Sequence, residues 1–104
     1  MSIHESGQMY LETIYILSRT KSYVRAIDVG EHLGYSKPSV SRAMSILKKN
    51  GYVLVDSDGA ITLTESGMEI AQTMYTRHTV LSEMLMRLGV DEKTATEDAC
   101  RIEH

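Results

Sequence analysis

The sequence predicts a mainly α-helical chain with one small β-hairpin, and three observations predict it. Apolar residues recur at three- and four-residue steps in several separate stretches. An Asp58-Gly59 pair stands between two short runs of strand-forming residues. Glycines and small hydroxyl residues fall at the edges of the periodic stretches, where helices start and stop.

Residues 10–17 are densely apolar, with Leu11, Ile14 and Leu17 at three-residue steps, which predicts a first helix over about residues 6–19. Ala26, Val29, Gly30 and Leu33 follow the i, i+3, i+4, i+7 pattern of a short second helix. Gly34 stands where a C-cap belongs. Ser36 suits an N-cap and Pro38 a first turn, where a missing N–H is harmless, so a third helix runs on to about Asn50. Its buried face should hold Val40, Ala43, Met44 and Leu47, with Gly51 closing it. Residues 52–55 and 60–63 then pair across Asp56-Ser57-Asp58-Gly59. Thr64 is placed to cap a long helix whose stripe is Met68, Ala71, Met74, Tyr75, His78, Leu81, Leu85 and Leu88, and Gly89 ends it. Asp91 caps a last helix that begins at Glu92 and is still running at His104.

The chain has 104 residues, 42% of them hydrophobic and 24% charged, with seven Gly and one Pro. That composition argues against a disordered, collagenous or low-complexity chain. The length supports one modest core, or one small domain and part of another. No apolar run reaches the roughly 18 residues of a membrane span. His4 and Glu5 precede any apolar stretch, unlike a signal peptide. The single cysteine, Cys100, excludes an intrachain disulfide framework and suits a reducing compartment. A cytoplasmic protein with no membrane partner is expected.

The formal net charge of −3 is unevenly spread. Residues 19–51 carry seven basic side chains against Asp28 and Glu31, whereas residues 64–104 carry four against eight acids. A basic middle between acidic flanks can present one positive face to phosphate despite the negative total.

Helix, short helix, tight turn, helix, hairpin is the order of a winged helix-turn-helix, here assigned to residues 1–63. The turn Leu33-Gly34-Tyr35-Ser36 sets the angle between the second and third helices. The third helix offers Lys37, Ser41, Arg42, Ser45 and Lys48 on its outer face, and a major groove admits one helix. Arg42 is the candidate for reading guanine, because a guanidinium bonds two acceptors on the G edge. Ser36, Ser39 and Ser41 suit phosphates or bases at a helix N-terminus that itself favours phosphate. Pro38 suits a thymine methyl, and Arg25 completes the candidate set. Double-stranded DNA is the expected partner. The hairpin carries Asp56 and Asp58 and is not expected to grip phosphate strongly.

A second chemistry lies in residues 64–104 and the first helix. His78 interrupts an apolar stripe, four residues after Met74 and three before Leu81. A lone histidine there is ordinarily a hydrogen-bonded core residue. However, Cys100, Glu103 and His104 stand at i, i+3 and i+4, so thiolate, carboxylate and imidazole converge on one helical face. Met9 and Glu12 are also three apart, and Glu12 is an acid in an apolar segment, costly to bury unpaired. Together these residues point to one divalent-metal site drawn from three helices. The set is too short of Cys and His, and spaced wrongly, for a structural zinc finger. An enzyme with Cys100 as nucleophile is disfavoured, since the chain shows no Gly-rich loop and the 100–104 spacing suits ligands better than a dyad. His4 and His32 have no comparable partners and are expected at the surface.

Three stretches carry a resemblance: Met9-Tyr10-Leu11-Glu12-Thr13-Ile14-Tyr15, Ser36-Lys37-Pro38-Ser39-Val40-Ser41, and Glu97-Asp98-Ala99-Cys100-Arg101-Ile102-Glu103-His104. They resemble the metal-dependent repressors related to the diphtheria toxin repressor and the manganese transport regulator, over nearly the whole chain. The resemblance implies a homodimeric bacterial repressor. Bound Fe²⁺ or Mn²⁺ would lock its winged helices at the spacing of a palindromic operator and shut down metal-uptake genes. It implies that the primary site of iron-type members falls on Met9, Cys100, Glu103 and His104. The manganese type adds an acid at Glu12 and a histidine at His78, but has carboxylates where this chain has Met9 and Cys100. At the second site of the iron type, His78 matches, Ser82 stands in place of an acid with Glu83 one residue displaced, and Thr96 replaces a histidine. Thiolate and thioether weigh towards Fe²⁺, while Glu12 and Glu103 suit Mn²⁺. In the family the last helix continues and further dimer-forming helices follow. Residues 64–104 are therefore expected to be the start of a helical metal-binding and dimerisation domain, and the chain to be a fragment. The alternative expectation is a metal-independent winged helix that binds DNA or protein, with Cys100 and His78 simply buried.

Overall fold

The computed structural model describes residues 5–89. It contains α1 (Glu5–Ser18), α2 (Ala26–Leu33), α3 (Lys37–Lys49), β1 (Val53–Val55), β2 (Ile61–Leu63) and α4 (Glu65–Arg87). This is the predicted order. The helix expected from Glu92, with Thr96, Cys100, Glu103 and His104, lies outside the described residues, as does His4.

α1 is the centre of the core. Leu11 and Ile14 are fully buried, and they pack with Val29 of α2, Val40, Met44 and Leu47 of α3, Val53 and Ile61 of the hairpin, and Ala71 of α4. Full burial of each such aliphatic side chain stabilises the fold by about 1.5–3 kcal/mol. The consequence for function is positional: one helix touches both the helix pair that would read DNA and the long helix carrying His78.

The turn between α2 and α3 is built from local bonds. Gly34 adopts φ 73°, and its N–H donates to the Gly30 carbonyl at 2.8 Å, which the Tyr35 N–H also reaches at 3.1 Å. The Ser36 oxygen caps α3 by accepting from the Ser39 N–H at 3.4 Å. At Gly30 a Cβ would lie 3.3 Å from the Tyr35 carbonyl oxygen and 3.4 Å from a Val40 methyl, so α2 and α3 approach closely there.

At the other end of α2, Asp28 accepts from the Arg25 N–H at 2.9 Å and from Lys21 Nζ at 3.4 Å. The Arg25 N–H chiefly holds its carboxyl below the ordinary value of 3.8; burial opposes it, and Lys21 adds a lesser downward pull. A depressed native pKa means the stabilisation is complete above 3.8 and fades as the pH falls from there through the lower native value. Asp28→Asn should therefore cost about 1 kcal/mol at pH 7, the usual worth of such an end-of-helix bond. Thermal melts of the two proteins should converge in strong acid.

The strands pair antiparallel, with Val53 opposite Leu63, Leu54 opposite Thr62 and Val55 opposite Ile61. Val53 and Ile61 face the core, whereas Leu54 and Thr62 face outward. The Ile61 N–H also donates to the Val24 carbonyl at 2.7 Å, which ties the hairpin to the segment before α2. Tyr52 and Ala60, expected within the strands, are buried but lie just outside the ladder. The Ala60 carbonyl closes the loop by accepting from the Asp56 N–H at 3.0 Å, and the Tyr52 carbonyl accepts from the Thr64 N–H at 3.1 Å at the start of α4.

Thr64 caps α4 by accepting from the Gly67 N–H at 3.2 Å, and its own hydroxyl donates to the Gly51 carbonyl at 2.6 Å. Of the predicted apolar stripe of α4, Ala71 and Met74 are buried, and Met68, Tyr75, His78, Leu81 and Leu85 are partly buried. Leu88, at the end of that stripe, is 74% exposed. The described part of α1 is 14 residues long against 23 for α4, so α4 runs beyond the described part of its partner.

Candidate metal centre and nucleic-acid interface

Packing α1 against α4 brings together two side chains that are 66 residues apart in sequence. His78 Nδ1 lies 3.2 Å from Glu12 Oε2. Glu12 is 5% exposed, and the His78 side chain 22%. Against an ionised Glu12, Nδ1 must carry the hydrogen, which turns Nε2 outward from the pair. His78 Nε2 is buried and has no hydrogen-bond partner among the described residues, and the same holds for Ser82 Oγ. The Glu12–His78 pair lines an open cleft of about 360 Å³ with Tyr75, Ser82, Glu83 and Met86.

That arrangement fits a divalent cation. A carboxylate fixes the imidazole through Nδ1, and the buried Nε2 presents a nitrogen donor that has no hydrogen-bond partner among the described residues. The same observation takes Glu12 out of the class of costly unpaired acids. Among the described residues no three His, Cys, Asp or Glu side chains converge, and Cys100, Glu103 and His104 lie outside them.

Two features beside the pair escaped the sequence. The Tyr15 and Tyr75 rings meet edge to face with centroids 5.3 Å apart, and the Arg19 guanidinium lies 5.8 Å and 5.1 Å from them. Tyr15 follows Glu12 by three residues and Tyr75 precedes His78 by three, so antiparallel helices set them opposite one another. The signal becomes readable only once α1 and α4 are known to pair. The second feature is Tyr35, whose hydroxyl donates to Met9 Sδ at 3.5 Å and whose ring meets Tyr10 at 5.9 Å. Burial, and then the neighbouring Tyr35, push the Tyr10 phenol above its usual range. Met9 and Glu12, expected at one site, thus engage different partners here: Met9 the α2–α3 turn, Glu12 the long helix.

On α3 the side chains of Lys37, Pro38, Ser41, Arg42, Ser45 and Lys48 are exposed, opposite the buried Val40, Met44 and Leu47. Ser36 and Ser39 are occupied by the cap, with the Ser36 hydroxyl donating to Ser39 Oγ at 2.9 Å. Arg25 is exposed, and its Nε donates to the Asp58 carbonyl at 3.3 Å, which joins the start of α2 to the hairpin loop. The Asp56 carboxylate accepts from the N–H groups of Asp58 and Ala60, both at 2.9 Å, so this acid of the hairpin holds its own turn. No helix among the described residues is long and apolar enough to cross a membrane.

Comparison with known proteins adds sequence and fold relatives. The family models described as iron dependent repressor, N-terminal DNA binding domain, and iron dependent repressor, metal binding and dimerisation domain, match residues 2–61 and 64–104. The HTH-type transcriptional regulator MntR of Lysinibacillus sphaericus (strain C3-41) is 34% identical over 99 residues, covering 95% of this chain and 71% of that regulator. The structure of the manganese regulator SloR superposes with a TM-score of 0.82 at 28% identity, over 100% of this chain and 48% of that one. A manganese-dependent transcriptional repressor in complex with manganese gives a TM-score of 0.82 at 30% identity, over 94% of this chain and 45% of that one. The chain spans about half the length of these solved structures.

Proposed function

The chain belongs to the iron-dependent repressor family, a family of transcriptional regulators and not of enzymes, and from that premise we propose that it is a metal-activated DNA-binding repressor acting as a dimer on a palindromic operator of metal-uptake genes. The observation that carries the proposal is the buried Glu12–His78 pair with its unpartnered Nε2. Met9, Glu12, His78, Cys100, Glu103 and His104 are the proposed ligands. When bound, a divalent cation supplies a positive centre that links α1, α4 and the segment holding Cys100.

The remaining residues account for the output. α1 packs on α2 and α3 as well as on α4, so fixing α1 at one end biases the position of α3 at the other. Arg42 is the proposed guanine contact, supported by its exposure on the outer face of α3. Residues 1–63 are the proposed DNA-binding unit and 64–104 the start of the metal-binding and dimerisation unit. The ion is Fe²⁺ or Mn²⁺. Cys100 and Met9 as soft donors support iron, whereas Glu12, Glu103 and the manganese regulators among the similar solved structures support manganese.

The test is binding to duplex DNA selected from a random pool, with and without Fe²⁺ or Mn²⁺, for the wild type and Cys100→Ala. Metal should tighten wild-type binding by about 5- to 150-fold, the usual range of such coupling, and Cys100→Ala should lose most of that gain. Equal binding in every condition would overturn the proposal in favour of a metal-independent winged helix. In the same assay Arg42→Ala should relax preference at one base step by about 1–3 kcal/mol. A uniform loss on all sequences would make Arg42 a phosphate contact instead.

A further inference from the structure

We propose that Tyr35 is a positioning residue that ties the metal centre to the DNA-reading turn: its hydroxyl holds the Met9 thioether away from the Glu12–His78 cleft, so that ligation by Met9 requires this bond to break. The inference rests on the metal-sensing function proposed above and deepens it.

Tyr35 lies between the C-cap of α2 and the N-cap of α3, with its N–H bonded to the Gly30 carbonyl at 3.1 Å. Its backbone is therefore part of the turn that aims α3, while its side chain reaches back to α1. There the hydroxyl donates to Met9 Sδ at 3.5 Å, a normal length for a sulfur acceptor, and the ring is seated on Tyr10 at 5.9 Å. Met9 is half-buried and does not line the cleft that Glu12 and His78 share. Yet Met9 precedes Glu12 by three residues on the same helix, and a methionine has three rotatable bonds with which to swing its sulfur. The thioether is thus a donor atom with two competing partners: a hydroxyl on the reading head and a cation in the cleft. Competition of this kind is reciprocal. What the Tyr35 bond takes from metal affinity, metal binding returns as release of the turn.

Tyr35→Phe separates the bond from the packing, because the ring that meets Tyr10 remains. The experiment is a double-mutant cycle on the full chain, with dissociation constants for Mn²⁺, and for Fe²⁺ without oxygen, measured by calorimetry on the wild type, Tyr35→Phe, Met9→Leu and the double variant. Tyr35→Phe should bind metal about 2- to 12-fold tighter, the net worth of one neutral hydrogen bond. On the Met9→Leu background the same change should have no effect. An unchanged or weaker affinity in Tyr35→Phe, or an equal gain in the absence of Met9, would overturn the proposal. Binding of neither ion by the wild type would instead overturn the metal-sensing function, and this inference with it.

Discussion

Gly67→Ala should lower the melting temperature by about 10 °C, although alanine is the better helix former by about 1 kcal/mol. Gly67 is buried in the first turn of α4, where the helix lies directly on the hairpin. A Cβ there would run into the Tyr52 carbonyl oxygen and sit 3.0 Å from the Tyr52 carbonyl carbon. The obstacle is backbone, not the end of a flexible side chain. It cannot turn aside without disturbing the Thr64 N–H bond to that same oxygen at 3.1 Å. Overpacking of this kind costs about 1–3 kcal/mol, and roughly 2 kcal/mol corresponds to the stated shift for a domain of this size. The sign is what matters: propensity alone predicts stabilisation, and the contact predicts the reverse. Ser66→Ala, at the exposed neighbour, should move the melting temperature little. A Gly67→Ala protein as stable as the wild type would mean that the hairpin and α4 are not packed as described.

His78→Ala should weaken metal binding by about 100-fold or more, since it removes a proposed ligand and not merely its support, whose loss alone costs 10- to 100-fold. The change also leaves Glu12 buried without its imidazole, so part of any loss could come from the fold. His78→Gln addresses this by keeping a side-chain amide able to donate to Glu12. If His78→Gln keeps the melting temperature of the wild type yet loses metal and the metal-dependent gain in DNA binding, the histidine acts as a ligand. If it binds metal as tightly as the wild type, the histidine is a core residue after all, and the metal centre must be built without it.

Both expectations depend on contacts of a kind that composition and periodicity do not reveal. The helix ends were legible because their signals are short-range. Gly34 takes a left-handed φ of 73°, Ser36 and Thr64 accept from N–H groups three residues on, and Gly51 and Gly59 also have positive φ. Each involves atoms within a few residues, so spacing alone identifies it. The outer face of α3 was legible for the same reason, since Val40, Met44 and Leu47 define the inner one. The acidic hairpin was only half legible. Asp56 and Asp58 in the sequence suggest a loop that does not grip phosphate, but only the structure shows the Asp56 carboxylate engaged by the N–H groups of its own loop. Within the apolar stripe of α4, Ala71 and Met74 are buried, whereas Leu81 and Leu85 are only partly covered and Leu88 is exposed, a gradient that spacing along the helix does not reveal.

For the described residues, the sequence by itself determined which elements form and in what order, where the helices are capped, and which residue types with ligand chemistry the chain holds. These follow from dihedral preferences, capping bonds and the 3.6-residue period, all of which act along the chain. Only the tertiary structure decided that Glu12 meets His78 and that Met9 meets Tyr35. It also decided that Tyr15, Tyr75 and Arg19 clamp α1 to α4, and that Gly67 admits no side chain. The physical reason is that each of these depends on the distance and crossing of two elements. That geometry is set by how the whole set of buried side chains fills the core around Leu11 and Ile14, and it is not carried by the spacing of residues within either element.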